Sequence, residues 1–230
     1  MGTIVLANME RIDFVTTTID VDVVDSVANV RKNISLMNLN TASLLDFNDH
    51  TLFIPATLLP KENFNHVNVY HELAQYPFFQ QAQSVIQENG AAKGVFRLRR
   101  VVNEEKNTAI IASDLCVLSS LFGEPALIHV LHSQANTHPN HVIVMLHFAG
   151  GVMAHVDYTF SNKESIELEW SGVQQIIEFH SDEMNPFDPK SFTTLPLQYN
   201  VDSILRNAEP AEQVLPKFQE FLQAVGGVVE

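Results

Sequence analysis

Basic residues are scarce in this chain: 13 lysines and arginines stand against 27 aspartates and glutamates, a formal net charge of −14 over 230 residues. So acidic a surface offers a phosphate backbone or an anionic lipid headgroup no general attraction, so neither nucleic acid nor a membrane surface is an expected partner. Cysteine is scarcer still. The single Cys116 cannot form an internal disulfide, and its apolar surroundings in "SDLCVLSSLFG" fit a small core side chain in a reducing compartment. Long apolar runs are missing too. The N-terminal "MGTIVLANMERIDF" is broken by Glu10, Arg11 and Asp13, and no later run reaches the ~18 apolar residues of a membrane span. A soluble, cytoplasmic protein is expected, without internal repeats or low-complexity linkers.

Apolar side chains are plentiful: 46% of the residues are hydrophobic, enough for a substantial core in one large or two small domains. "TIVLA" (3–7) predicts a buried strand, and the β-branched "IDFVTTTIDVDVVDSV" (12–27) reads as strand, or as strand running into helix. Short strands follow in "HTLFIPATLLP", ended by Pro55, and in "HVNVYHEL" (66–73). From Pro77 the spacing changes. Phe78, Phe79, Ala82, Val85 and Ile86 recur at helical intervals before Gly90, which predicts an amphipathic helix over 77–89. A strand over 94–102 and a helix over 113–122 come next, with Phe79, Val85, Leu118 and Leu121 expected in the core. Five strand-like runs joined by short turns then predict an antiparallel meander, and a last helix carries Val214, Phe218, Phe221 and Leu222 on one stripe. This order predicts an α+β fold: a large, mostly antiparallel open sheet with helices on one face.

One hairpin can be read in register. With Ala149-Gly150-Gly151 as a three-residue loop, Phe148 pairs with Val152 in "HVIVMLHFAGGVMAHVDYTF". One face then carries Val142, Val144, Leu146 and Phe148 opposite Val152, Ala154, Val156, Tyr158 and Phe160, a continuous core surface. The other carries His141, Ile143, Met145 and His147 opposite Met153, His155, Asp157 and Thr159. Among these, His141, Ile143, Met145, His147, Met153 and His155 carry no permanent charge, and such depletion with methionine present marks an interface centre, here a homodimer through the outer sheet face. A metal is not expected, because His141 lies two pairs from His147 and a zinc or iron site needs three or four converging ligands.

Other constellations carry little chemistry. Ser113-Asp114 lacks the G-x-S-x-G elbow of a hydrolase. Arg97, Arg99 and Arg100 are expected to form internal salt bridges, with Glu104 and Glu105 as candidate partners. The acidic, proline-bearing "SDEMNPFDP" (181–189) reads as a surface loop.

With this outline the chain resembles the Gfo/Idh/MocA family of NAD(P)-dependent sugar and polyol oxidoreductases. "YHELAQYPFFQQAQSVIQENGAAKGVFRLRR", "SDLCVLSSLFGEPALIHV", "VIVMLHFAGGVMAHVDYTF" and "IELEWSGVQQIIEF" carry the likeness, over roughly residues 66–180. The resemblance implies a shortened Rossmann-like segment over 1–65 and the family's C-terminal α/β sheet domain over 66–230. It also implies association through the open sheet, and a substrate cleft near Tyr70, His71 and Glu72. The family's devices are missing where the resemblance puts them. "TIVLANMERID" has no glycine between Thr3 and Asp13 to admit a pyrophosphate; Phe53-Ile54-Pro55 stands for the Glu-Lys-Pro motif; Ala109 and Ser113 occupy the places of an Asp and a proton-relay His. Asp114, one residue on, joins the candidate cleft. The leading expectation is a catalytically degenerate relative that self-associates or binds a small sugar-like ligand, with no cofactor. An active enzyme that binds NAD(P) in a reshaped site, and an unrelated α+β binding protein, remain the alternatives.

Overall fold

Ile4, Val5, Leu6 and Ala7 are all fully buried. Burial without alternation is the mark of a central strand covered on both faces of a parallel sheet. The computed structural model describes residues 2–30, 33–39, 50–59, 66–88, 92–103, 107–134, 137–184 and 192–226. In it β1 (Thr3–Ala7) runs parallel to β3 (Ile34–Asn38) on one side and β4 (Thr51–Pro55) on the other. β2 (Val21–Val24) forms one edge beside β3, and β5 (Val67–Tyr70) lies parallel to β4, giving the order β5-β4-β1-β3-β2. The ambiguous segment 12–27 thus yields one short edge strand and two turns. After β5 a four-residue helix, α1 (Glu72–Gln75), follows.

The chain divides into two compact units, one through Pro77 with Gln198–Glu220, the other Phe78–Leu197 with the residues from Phe221 on. The first boundary therefore falls some way beyond the expected residue 65. The "HVNVY" strand pairs with β4 in the first sheet, so it closes the N-terminal unit instead of opening the second.

The second unit begins with α2 (Pro77–Glu88), which buries Phe79, Ala82 and Ile86 and leaves Val85 half-buried. β6 (Gly94–Val102) has the expected bounds, and α3 (Thr108–Phe122) starts five residues before its expected beginning, where Asn107 caps it by accepting from the Ala109 N–H. Gly123 ends it at φ 89°, a left-handed conformation that glycine adopts without strain. Then come β7 (Pro125–His132), β8 (Asn140–Phe148), β9 (Val152–Phe160), β10 (Ser165–Gly172) and β11 (Ile176–His180).

The β8–β9 hairpin has the expected register, with Asn140 opposite Phe160 and His147 opposite Met153, and Gly151 supplies φ 89° in the loop. The meander is interrupted, however. The sheet order is β11-β10-β6-β9-β8-β7, so β6 lies between β9 and β10, parallel to the first and antiparallel to the second. Alternation fixes which face each side chain takes but not which strand it meets. Here cross-strand charge helps select the neighbour: Arg97 pairs with Glu169 at 2.6 Å and Arg99 with Glu167 at 2.8 Å. The inner face of this sheet is covered by α3, whose Phe122 packs on Phe96, Phe148 and Trp170, and by α2, whose Phe78 stacks on Phe179 at 3.8 Å. Leu118 is fully buried there and Leu121 half-buried.

Of the expected 181–189 loop, Asp182–Met184 forms a strand paired with Phe192–Thr194, and residues 185–189 lie outside the described residues, as do Glu104 and Glu105. The chain then returns to the first unit. Tyr199 bridges to Ile12, α4 (Val201–Asn207) is capped by Asn200, the two-residue strand Glu209–Pro210 pairs with β5, and α5 (Ala211–Gly226), whose residues from Phe221 on belong to the second unit, buries Val214, Phe218, Phe221 and Val225. Among the described residues no helix is long and apolar enough to cross a membrane.

Candidate functional site

In an open parallel sheet, ligands gather beyond the carboxyl ends of the strands. Three features of the first unit lie there. The segment after β1 forms only a three-residue 3-10 turn, Met9–Arg11, capped by Asn8, whose Oδ1 accepts from the Glu10 N–H at 3.1 Å. Beyond the ends of β2 and β3, a crevice of about 490 Å³ is lined by Met9, Val24, Asp25, Asn29 and Asn38, and Asp25 accepts from the Asn29 side chain at 2.9 Å.

The third feature is a polar cluster at the end of β5. Arg11 Nη1 reaches Glu72 Oε2 at 3.1 Å and the Tyr76 hydroxyl at 2.6 Å, and the Tyr199 hydroxyl donates to Glu72 Oε1 at 3.3 Å. Tyr70 is fully buried, its hydroxyl donating to the Leu6 carbonyl at 2.9 Å, and its ring meets Tyr199 edge-on. Burial, with the Glu72 charge nearby, pushes the Tyr70 and Tyr199 hydroxyls well above the usual phenol range. His71 follows β5, and burial lowers its pKa to about 4, so it is a neutral imidazole at neutral pH. Ser203 donates to Gln75 at 2.6 Å, tying α4 to α1. Tyr70, His71 and Glu72 are thus brought together, but as a cluster whose polar groups already serve one another.

Asp114 lies in the other unit. It is 1% exposed on α3, with Arg100 Nη1 3.0 and 2.9 Å from its two carboxylate oxygens and the Tyr158 hydroxyl donating at 3.0 Å. Burial, with the Asp114 charge beside it, pushes the Tyr158 hydroxyl well above the usual phenol range. Ser113, beside it, is also buried, and Ala109 sits in the first turn of the same helix. Arg100 was expected to form an internal salt bridge and does so; its partner Asp114 and the Tyr158 hydroxyl beside it were not foreseen, although Arg100 occupies an inward position of β6 whose neighbours in the alternation are all apolar.

On the outer face of the second sheet, register aligns rows of side chains. Glu178, Glu169, Arg97, His155, Met145 and His129 form one, and Ile143 and Leu131 extend another that begins with His180, Glu167, Arg99 and Asp157. The half on β7–β9 mixes histidines and Asp157 with exposed apolar side chains, Leu127 58%, Leu131 46% and Met153 48% accessible. The half toward β11 is a ladder of paired charges. His141 meets Thr159 at 3.0 Å, His155 lies 3.5 Å from Asp157, and His147 is exposed diagonally from His155. Among the described residues no three His, Cys, Asp or Glu side chains converge on a metal-sized space.

No known family model matches the sequence, and no curated protein matches it. Solved structures do match the fold. The chain is similar to a candidate oxidoreductase from Thermotoga maritima, at 11% identity and TM-score 0.56 over 97% of this chain and 96% of that one. It is similar to myo-inositol 2-dehydrogenase from Lactobacillus plantarum, at 9% identity and TM-score 0.52 over 96% and 89% of the two chains. It is likewise similar to apo scyllo-inositol dehydrogenase from Lactobacillus casei, at 9% identity and TM-score 0.51 over 98% and 89%. Identities this low carry the architecture and nothing finer: the chain has the α+β fold of the Gfo/Idh/MocA-type oxidoreductases.

Proposed function

We propose that the protein is a catalytically degenerate form of this fold that works as a self-associating scaffold. One observation carries the reading. All of residues 8–20, from the end of β1 to β2, are described, and they contain no glycine and no helix beyond the Met9–Arg11 turn. A dinucleotide pyrophosphate needs backbone N–H groups at a helix N-terminus and a glycine turn that admits it. Here the Asn8 side chain takes the turn's N–H, and Glu10 puts a negative charge beside it. These residues do not fit the cofactor that the fold implies. Two further facts support the reading: Ala109 and Ser113 offer no proton relay, and Asp114 is committed to Arg100 and Tyr158. The proposed partner is a second copy, docked on the β7–β9 half of the outer sheet face around Met145 and Met153.

The crevice beyond β2 and β3 favours one second reading, an oxidoreductase with a reshaped nucleotide site in which Asp25 meets a ribose hydroxyl. Titration of the protein into NADH and NADPH, followed by fluorescence, separates the two. The scaffold reading expects no saturable binding in the micromolar range and no turnover with inositols or aldoses. Micromolar affinity together with turnover on any polyol sinks it.

A further inference from the structure

We infer that β7, the open edge of the second sheet, pairs antiparallel with the β7 of a second copy, so that the sheet continues from one molecule into the next. Among the described residues no strand lies beyond β7. An unpaired edge presents its backbone N–H and C=O groups to any strand that fits, and folded proteins guard such edges with charge, proline or shortness. The other edges of the two large sheets are guarded. β2 has four residues and carries Asp22, β11 has five and carries Glu178, and the two-residue Glu209–Pro210 contains a proline. β7 has eight residues, with proline only at the first and no aspartate, glutamate, lysine or arginine.

The register shows which groups this edge offers. The Ser133 N–H donates to the His141 carbonyl at 2.9 Å, so Ser133 and His141 form a hydrogen-bonded pair. Such pairs recur at every second residue of an antiparallel ladder. The backbone groups of Leu131 and His129 therefore belong to Ile143 and Met145 on β8, and those of Val130 and Ile128 point outward. Leu127, His129 and Leu131 are exposed together on the outer sheet face.

The occupant is a second copy because the edge is complementary to itself. A twofold axis through His129 lets Ile128 exchange backbone hydrogen bonds with the second copy's Val130, and Val130 with its Ile128. On the outer face Leu127, 58% exposed, then lies opposite the second copy's Leu131, 46% exposed, on both sides of the axis. Moving the axis to Val130 sets Leu131 against His129 and loses that match, and moving it to Leu127 brings in the irregularity between Pro125 and Leu127. A chain of net charge −14 repels its own copies wherever acidic groups meet, and β7 brings none. The contact uses backbone at the sheet edge, so it goes beyond the face contact proposed above and is independent of it. One pair of strand edges covers less than the ~1,200 Å² of a standard interface, so it joins copies at high protein concentration.

Disulfide trapping reads this register. Residues facing each other across the axis without hydrogen bonds have Cα atoms ~4.5 Å apart, within disulfide range. With Cys116→Ser removing the native thiol, His129→Cys under mild oxidation should form a covalent dimer at least about tenfold faster than Leu127→Cys, which the same register places ~14 Å from its own mate. Leu127→Cys mixed with Leu131→Cys should trap a mixed dimer as fast as His129→Cys does. Val130→Pro deletes an outward N–H and leaves the β8 pairing intact, so it should slow trapping at His129→Cys by about tenfold, whereas Val130→Ala, which keeps that N–H, should not. Met153→Glu, which spoils the face contact two strands away, should leave trapping unchanged. Equal rates for His129→Cys and Leu127→Cys alone, no mixed dimer, a folded Val130→Pro variant that traps as fast as its parent, or loss of trapping with Met153→Glu overturns the assignment.

Discussion

Asp114, fully buried, and His71, half-buried, are held in different ways. Asp114 keeps its charge because Arg100 and the Tyr158 hydroxyl surround it, at 1% exposure for both members of the ion pair. Removing one partner strands the other charge, and breaking a buried pair costs ~3–5 kcal/mol. Asp114→Ala should therefore lose about that much in urea unfolding. A loss below ~1 kcal/mol would mean that Arg100 finds water or another anion. His71 is held neutral. Burial lowers its pKa to about 4, against 6.5 for the exposed ring. Between those values the unfolded chain binds a proton that the native one does not. The stabilisation is whole above pH 6.5 and falls as pH drops toward 4, by on the order of 3 kcal/mol at most. His71→Asn should flatten the decline in unfolding temperature between about pH 7.5 and about pH 5. Parallel profiles would take His71 out of the acid sensitivity.

At the scale of elements, the second sheet is organised by its inner face and only decorated on its outer one. The inward row of β6 reads Phe96, Leu98, Arg100 and Val102, all buried, and α3 closes over it with Leu118. The outward Arg97 and Arg99 are half-exposed and pair with half-exposed glutamates of β10. Leu118→Ala should cost ~2–5 kcal/mol, the loss of a packed leucine plus the cavity it leaves. Arg97→Gln, which opens one screened surface pair, should cost under ~1 kcal/mol. Chemical denaturation of the two variants tests the contrast, and comparable losses would show the outer ladder to be structural.

At the scale of the whole molecule, the proposed self-association rests on the outer sheet face of the second unit. Arg97 and Arg99 on β6 are paired with Glu169 and Glu167 on β10 within the face, and Leu127, Leu131, Met145 and Met153 lie on β7–β9. A twofold axis brings this half of the face onto its own copy, which hides the leucines and methionines. Sedimentation should give a dimer for the wild type at about pH 8 and a monomer for Met145→Glu, which buries a carboxylate in the proposed contact. A wild-type monomer, or a variant that dimerises equally well, rules this interface out.

The sequence by itself determined what depends on neighbours along the chain. Strand alternation and the Gly150-Gly151 turn gave the β8–β9 register residue by residue, and Pro77 and Gly123 marked a helix start and a helix end. Only the tertiary structure decided what depends on partners far away. The insertion of β6 between β9 and β10 was not legible, because alternation is the same whichever strand lies alongside. The allotment of "HVNVY" to the first sheet was hidden for the same reason, since a parallel neighbour leaves no local trace. Asp114 looked like a candidate ligand group until Arg100 and Tyr158, distant in sequence, were brought against it.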